Sequence, residues 1–411
     1  MANIAIMGHG VVGSGVAEIL YTNPQNIAKR VKEEIVVKRI LDLREFPDSP
    51  YADRFTKNFE DIVNDDSIQV VAEVMGGLNP AYDFVKRCLE AGKSVVTSNK
   101  ELVAVKGAEL LQIAEKHNAN FLFEASVGGG IPVLRPLHQC LAANNILSVS
   151  GILNGTTNFI LTKMIHENMG FEDALALAQK LGYAERDPSA DIDGDDACRK
   201  ICILAALAFG KHVYPEQVHT EGISQLTLAD VAYADAWGGV IKLIGQVKLL
   251  DDGRIKIIVC PMFLKHSCQL STIEDVFNGI MVKGSFTDDI MFYGKGAGKL
   301  PTASAVVADI MDCAKHVDAR KYLYWEDNQD PSYVQDYLED SVCLYVRGEN
   351  GCRHCVESVF GEVEMLQRAD APEGEIAFIT PRMAEKDARA KLETLAAKGV
   401  VIKTTVRIGE I

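Results

Sequence analysis

Ile4-Ala5-Ile6-Met7-Gly8-His9-Gly10-Val11-Val12-Gly13 runs four apolar residues directly into a GxGxxG loop. The apolar run predicts a buried strand, and the spacing over 13–20 predicts a helix that opens from the loop. In such a strand–loop–helix the glycines permit a tight turn and let a pyrophosphate approach the free N–H groups of the helix's first turn. Gly8, Gly10, Val11, Val12 and Gly13 are therefore candidate dinucleotide contacts. Outward from the loop, strands are predicted over 35–41, 70–74, 94–97 and 120–124, with helical spacing over 80–91 and 102–117. That alternation is the order of a parallel sheet covered by helices, a Rossmann-type α/β domain.

Asp42 closes the second predicted strand, where a carboxylate can take the adenosine ribose hydroxyls. A carboxylate there repels a 2′-phosphate, which leans the cofactor toward NAD rather than NADP. Arg39 and Arg44 flank it, and either could serve a phosphate, so both dinucleotides stay open. Ser98-Asn99-Lys100 ends the fourth strand. Strand C-termini face the ligand crevice in such sheets, so Ser98 and Lys100 are candidates to reach cofactor or substrate.

With 411 residues the chain has room for two or three domains at roughly 150 residues each. Hydrophobic residues make up 48% and charged residues 24%, which argues against wholesale disorder. Lys plus Arg number 42 against 57 Asp plus Glu, a formal charge of -15 that opposes sequence-independent binding to nucleic acid. The most apolar long stretch, 201–210, reaches half the length of a membrane span, so no membrane partner is expected. The N-terminus lacks the cationic start of a signal peptide, and a cytoplasmic protein is the expectation. Ten cysteines without framework spacing read as reduced and mostly buried. Cys352-Arg353-His354-Cys355 is a lone CxxC, read as part of an ordinary helix because a second ligand pair for a metal is missing.

From about residue 133 the texture changes. A strand is predicted over 148–153, helices over 172–181 and 197–209, and strands over 256–263 and 279–283, before a glycine-rich turn at 294–298 opens a helix over 302–313. An acidic, aromatic stretch at 319–340 reads as a linker. The remainder has a βαββαβ order, a small ferredoxin-like module over 341–411. The expected plan is thus a dinucleotide-binding domain over 1–132 completed by the helix at about 300–318, an α+β catalytic and dimerisation domain over 133–300, the linker and the module.

Three further constellations carry chemistry. Glu185, Asp191, Asp196 and Lys200 fall within one short segment, and Asp196 and Lys200 stand i,i+4 on one helix face. The residues that follow, 201–209, are apolar on every face, so the helix is expected to be buried, and buried charge suggests chemistry. Asn154-Gly155-Thr156-Thr157-Asn158 reads as a polar glycine turn suited to a carboxylate or amide-like ligand. Glu124-Ala125-Ser126-Val127-Gly128-Gly129-Gly130-Ile131-Pro132 sets a carboxylate beside a run of carbonyls, an oxygen cage for a hard cation.

At these residues the chain closely resembles homoserine dehydrogenases. The resemblance rests on the blocks at 8–15, 74–77, 97–100, 124–132, 151–158, 182–200 and 294–305, spread in family order over some 300 residues. It implies interconversion of L-homoserine and L-aspartate 4-semialdehyde with NAD or NADP, in threonine, methionine and isoleucine biosynthesis. Carried onto this chain, it makes Lys200 and Lys100 the catalytic lysines, with Lys200 the proton donor and Asp196 beside it. Glu185, Asp191, Asp196 and Thr156 would bind substrate, and Gly298 would lie beside the cofactor. Glu124, Val127, Gly129 and Ile131 would correspond to a structural Na⁺ site built from backbone carbonyls. The C-terminal module resembles an ACT domain, which implies an amino-acid effector, and a homodimer or homotetramer is the expected assembly. Glu349-Asn350-Gly351-Cys352-Arg353 replaces the usual Asp-x-Pro-Gly-Val turn of that domain. Two rival readings, a non-catalytic sensor and another amino-acid dehydrogenase, are disfavoured by the presence of both lysines and of the 151–158 and 194–200 blocks.

Overall fold

The apolar runs of the first 130 residues pair as expected. The computed structural model describes residues 1–316, 319, 323, 325–328 and 330–411. The linker expected over 319–340 includes 320–322, 324 and 329, and the helix expected over 300–318 includes 317–318; these lie outside the described residues. Strands β1 (Ala2–Met7), β2 (Ile35–Leu41), β3 (Phe55–Thr56), β4 (Ile68–Glu73), β5 (Ser94–Thr97) and β6 (Phe121–Leu122) form a six-stranded sheet in the order β3-β2-β1-β4-β5-β6. Every pairing in it is parallel. The strand order turns back at β1, between β2 and β4, and such a switch point opens a crevice at the strands' C-terminal ends.

Late sequence completes this sheet's core. Helix Lys299–Lys315 buries Ala303, Val306, Val307 and Ile310 in the same cluster as Ile4, Ile6, Val16 and Leu20. Each fully buried aliphatic side chain contributes about 1.5–3 kcal/mol, so the returning helix is integral to the unit. By contacts, 1–145, 202–215 and 292–329 make this first compact unit, and 146–201, 216–291 and 330–411 the second.

The second unit is built on a mixed sheet. Its strands are β7 (Ile146–Ile152), β8 (His219–Thr220), β9 (Gly239–Leu249), β10 (Ile255–Lys265), β11 (Phe277–Gly284), β12 (Asp288–Lys295), β13 (Ser341–Val342), β14 (Leu344–Glu349), β15 (Glu364–Leu366), β16 (Ile376–Ile379), β17 (Met383–Ala384) and β18 (Val401–Ile408). The path is β12-β11-β7-β9-β10-β18-β14-β16-β15, with β8 alongside β10 and a separate β13–β17 pair. β9 and β10 form a long antiparallel hairpin, and β18 joins β10 through Met262–Arg407 and Phe263–Ile408. The sheet of 341–411 is therefore continuous with the sheet built from 146–291.

Several elements depart from the sequence reading. Helices start earlier than their apolar spacing suggests: Val11–Thr22, Asp195–Phe209 and Lys299–Lys315. First-turn residues present free N–H groups and carry a weak apolar signal. The polar stretch at 155–158, read as a turn, is the first turn of helix Gly155–Glu167. β9 gave no alternating pattern because it is buried on both faces, with Lys242 inside it. Lys242 Nζ donates to Asn158 Oδ1 at 3.1 Å and to the Ile273 carbonyl, and burial pushes the ammonium down to about 8.

Candidate functional site

In the first unit the glycine loop leaves β1 and enters helix Val11–Thr22 with Gly10 as its N-cap. A Cβ on Gly13 would lie 2.0 Å from the Gly8 carbonyl oxygen, so this position requires glycine. Val12 is half-buried and Val11 is exposed at the start of the helix. Asp42 leaves β2 and accepts the His9 N–H at 2.8 Å, which ties it to the loop. It also accepts from Arg44 Nε at 3.0 Å, Nη2 at 2.9 Å and the Arg44 N–H at 3.0 Å. The Arg44 guanidinium holds the Asp42 carboxyl far below the usual carboxylate range, and the backbone donors assist. A hollow of ≈ 560 Å³ lined by His9, Ser14, Glu18, Tyr21, Phe46 and Tyr51 lies beside the loop. A second, of ≈ 320 Å³, is lined by Asp42, Arg44, Phe46, Phe55 and Lys57.

At the neighbouring strand ends, Asn99 caps helix Lys100–Lys116 by accepting the Leu102 N–H at 3.1 Å. Its Nδ2 donates to the Gly77 carbonyl at 2.6 Å. Ser98 and Lys100 are half-buried on either side of this cap. Glu73, fully buried at the end of β4, accepts from Thr97 Oγ1 and the Met75 N–H, and burial pushes its carboxyl up. Gly298 immediately precedes helix Lys299–Lys315, whose Lys299 Nζ lies 2.6 Å from Glu18 on the loop's helix.

The Glu124 carboxylate accepts the N–H groups of Val133, Leu134 and Arg135 at 2.7, 2.9 and 2.7 Å, which ties its segment to the chain that follows. The Glu124 N–H donates to Asp309 Oδ2 at 2.8 Å, and burial pushes the Asp309 carboxyl up to about 7 although Arg135 pairs with it. Val127, Gly129 and Ile131 are buried, and a Cβ on Gly129 would lie 2.4 Å from the Gly296 carbonyl oxygen. Among the described residues no group of three His, Cys, Asp or Glu side chains is arranged to hold a metal ion. The oxygen donors left in this segment are main-chain carbonyls, a donor type that suits hard cations.

In the second unit a polar cluster forms where β7 meets two helices. Asp196 and Lys200 are both buried on helix Asp195–Phe209. Lys200 Nζ donates to Asp196 Oδ2 and to the Leu153 carbonyl, each at 2.7 Å. An ammonium has three protons, and these acceptors take two of them. Asn154 Nδ2 spends its own protons on Asp191 Oδ1 at 2.7 Å and Asp196 Oδ2 at 2.8 Å. The Asn154 Oδ1 meanwhile accepts the Thr157 N–H at 2.8 Å and caps helix Gly155–Glu167. One amide thus fixes a helix start and holds two carboxylates together. Burial, and then the Asp196 charge, raise the Asp191 carboxyl above its ordinary value. Two carboxylates against one ammonium leave this cluster net negative when all are ionised, a setting suited to a substrate ammonium.

Thr156 Oγ1 donates to the Tyr183 carbonyl at 2.7 Å, anchoring the 182–187 segment to the same helix start. Glu185 is exposed on that segment, with its carbonyl accepting from Gln179 Nε2 at 3.1 Å, and none of the cluster's hydrogen bonds runs to it. The sequence points to Asp191, Asp196, Lys200 and Thr156 as site residues and shows Asn154 only as part of a polar glycine turn. The available signal was the Asn-Gly-Thr-Thr spacing, an N-cap pattern hidden inside what reads as a turn.

Two family models match the chain. Residues 8–124 match the family described as "Homoserine dehydrogenase, NAD binding domain", and 132–311 match "Homoserine dehydrogenase". A curated homoserine dehydrogenase of Neisseria gonorrhoeae is 42% identical over 418 residues, covering 99% of this chain and 90% of that one. The crystal structure of a homoserine dehydrogenase from Thiobacillus denitrificans superposes with a TM-score of 0.89 at 32% identity, covering 100% of this chain and 98% of that one. A hyperthermophilic archaeal homoserine dehydrogenase in complex with NADPH gives a TM-score of 0.65 at 29% identity, covering 76% of this chain and 97% of that one.

Proposed function

The chain belongs to the homoserine dehydrogenase family, oxidoreductases that interconvert L-homoserine and L-aspartate 4-semialdehyde with a nicotinamide cofactor, and from that premise we propose how its residues share the reaction. Lys200 is the acid and base. In the oxidative direction its amine takes the proton of the substrate hydroxyl as hydride leaves the carbinol carbon. In the reductive direction its ammonium returns that proton to the alkoxide. The nicotinamide, when bound, accepts or supplies the hydride. Asp196 orients Lys200, and Asp191, Asp196 and Glu185 take the substrate ammonium. Thr156 and the first turn of its helix face the substrate carboxylate. Lys100 is the second catalytic lysine. The observation that carries this reading is the buried Lys200–Asp196–Asn154–Asp191 network, in which an ammonium keeps a proton beyond those its chain acceptors take.

For the cofactor, Gly8, Gly10, Val11, Val12 and Gly13 hold the pyrophosphate, with Ser98, Lys100 and Gly298 alongside. The preference leans to NAD, because a 2′-phosphate would have to draw Arg44 away from Asp42. A Na⁺ held by the main-chain carbonyls of Glu124, Val127, Gly129 and Ile131 steadies that segment. Residues 341–411 act as an ACT-like module for an amino-acid effector, supported by their βαββαβ order and the strand order β18-β14-β16-β15. The assembly is a homodimer or homotetramer, at work in the cytoplasm in threonine, methionine and isoleucine biosynthesis. The test is a steady-state assay of purified protein with L-homoserine and each dinucleotide. Homoserine-dependent cofactor reduction is expected, and its absence with both cofactors in folded protein would sink the reading.

A further inference from the structure

Helix Arg353–Phe360 starts at Cys352, whose Sγ accepts the Cys355 N–H at 3.3 Å. The two sulfurs lie 2.8 Å apart, and Cys352 is exposed while Cys355 is half-buried. A formed disulfide has an S–S distance of about 2.05 Å, so closing this pair takes less than about 1 Å of travel. The other cysteines lack this combination. Cys88, Cys198, Cys202, Cys260 and Cys313 are buried, and burial pushes the thiols of Cys88 and Cys260 up to about 12. A resident metal does not explain the pair, because no third His, Cys, Asp or Glu ligand joins it among the described residues.

We propose that Cys352 and Cys355 form a reversible dithiol–disulfide couple whose co-reactant is a low-molecular-weight disulfide. Cys352 is the attacking sulfur: the helix's first turn and the Cys355 N–H favour its thiolate, and the contact with Cys355 lowers its pKa while raising that of its partner. The Cys352 thiolate attacks one sulfur of the small disulfide, forming a mixed disulfide and expelling a thiolate that takes up a proton. The Cys355 thiolate then attacks Cys352 Sγ, closing the protein disulfide and releasing the second small thiol. Two protein thiols are oxidised and one small disulfide is reduced to two thiols, a two-electron exchange that excess thiol reverses. The bridge would covalently tie the N-cap, itself part of the Glu349–Arg353 turn of the C-terminal segment, to the first turn of the helix.

The experiment equilibrates the full-length protein with defined ratios of reduced to oxidised glutathione, quenches with acid, alkylates and maps peptides by mass spectrometry. The expected result is one intramolecular Cys352–Cys355 disulfide, which opens again in excess reduced glutathione while Cys88 and Cys260 stay thiols. In Cys355→Ser a glutathione adduct should accumulate on Cys352. In Cys352→Ser, alkylation of Cys355 should be at least about tenfold slower than that of Cys352 in the reciprocal variant. Free thiols at both positions across the whole range, bridging to any other cysteine, or equal alkylation rates in the two single variants would overturn the proposal.

Discussion

The second unit holds two sets of buried charge that look alike in sequence and differ in their hydrogen bonding. Around Lys200 two carboxylates, Asp191 and Asp196, share the amide of Asn154, and the ammonium brings three protons to two chain acceptors. Around Asp230 donors are plentiful. That carboxylate accepts Arg347 Nε at 2.8 Å, Arg347 Nη2 at 3.1 Å, Tyr345 Oη at 3.0 Å, and the Thr227 N–H and Oγ1 at 2.9 and 2.7 Å. Arg407 does the same for Glu385 and Glu221, with contacts of 2.6 to 3.0 Å. Burial of charge therefore does not by itself mark chemistry. The arginine networks fix β14 and β18 against the helix Leu228–Ala236 and the segment at Glu221, while the Lys200 ammonium has a proton beyond its two chain acceptors.

Substitutions at the two sets should separate stability from turnover. The largest effect is expected for Asp230→Ala, which leaves the buried Arg347 only the more distant Glu375, at 3.7 Å, and should cost about 3–5 kcal/mol of unfolding free energy. Chemical denaturation measures that loss, while kcat per folded molecule should stay near the parent value. A stable variant would show that Asp230 does not hold this network together. Removing 341–411 should act in the same direction, because it takes Arg347 and Arg407 away from Asp230 and Glu221 and bares the β10 edge.

Next in size is Asn154→Ala, expected to lower kcat/KM by about tenfold and stability by about 1 kcal/mol through loss of the helix cap. Asn154→Ser sharpens the point: it keeps a cap oxygen and should recover the stability of the cap, yet it lacks the amide that gathers Asp191 and Asp196 and should leave kcat/KM low. Recovery of both would reduce Asn154 to a cap. A smaller, few-fold rise in relative use of NADP is expected for Asp42→Ala, which frees Arg44 for a 2′-phosphate. An unchanged ratio of kcat/KM for the two dinucleotides would remove Asp42 from the cofactor site.

The smallest effect concerns pH. Burial opposes ionisation of Glu221, but His219 and Arg407 prevail and hold its carboxyl at about 2 rather than its ordinary 4.5. A depressed carboxyl stabilises the fold above its unfolded value, and that contribution is lost as pH falls through the window from about 4.5 to about 2. Glu221→Gln should flatten the stability profile in that window, which thermal melts across acidic buffers would detect. Parallel profiles for parent and variant would contradict the assignment.

Much of this was legible in the sequence for definite reasons. β1, β2, β4 and β5 are rich in Ile, Val, Leu and Ala, as buried parallel strands are, although Lys38 and Arg39 interrupt β2. The i,i+4 pairing of Asp196 with Lys200 follows from helical spacing alone. β9 was not legible, because Lys242, Gly245 and Gln246 interrupt it and only tertiary partners, Asn158 and the Ile273 carbonyl, reconcile Lys242 with burial. The two-pair seam between β10 and β18 joins residues far apart in the chain and leaves no local pattern. Asn154 escaped because a residue that caps a helix and gathers carboxylates reads locally as a turn asparagine.

Lys200 carries the proposed chemistry most directly. Its direct test is kcat for L-homoserine oxidation by Lys200→Ala at saturating substrate and cofactor, with circular dichroism confirming the fold. A fall of roughly 10²-fold or more at unchanged unfolding midpoint is the predicted result, in line with loss of a general acid–base group. A folded variant that keeps most of its kcat would contradict it.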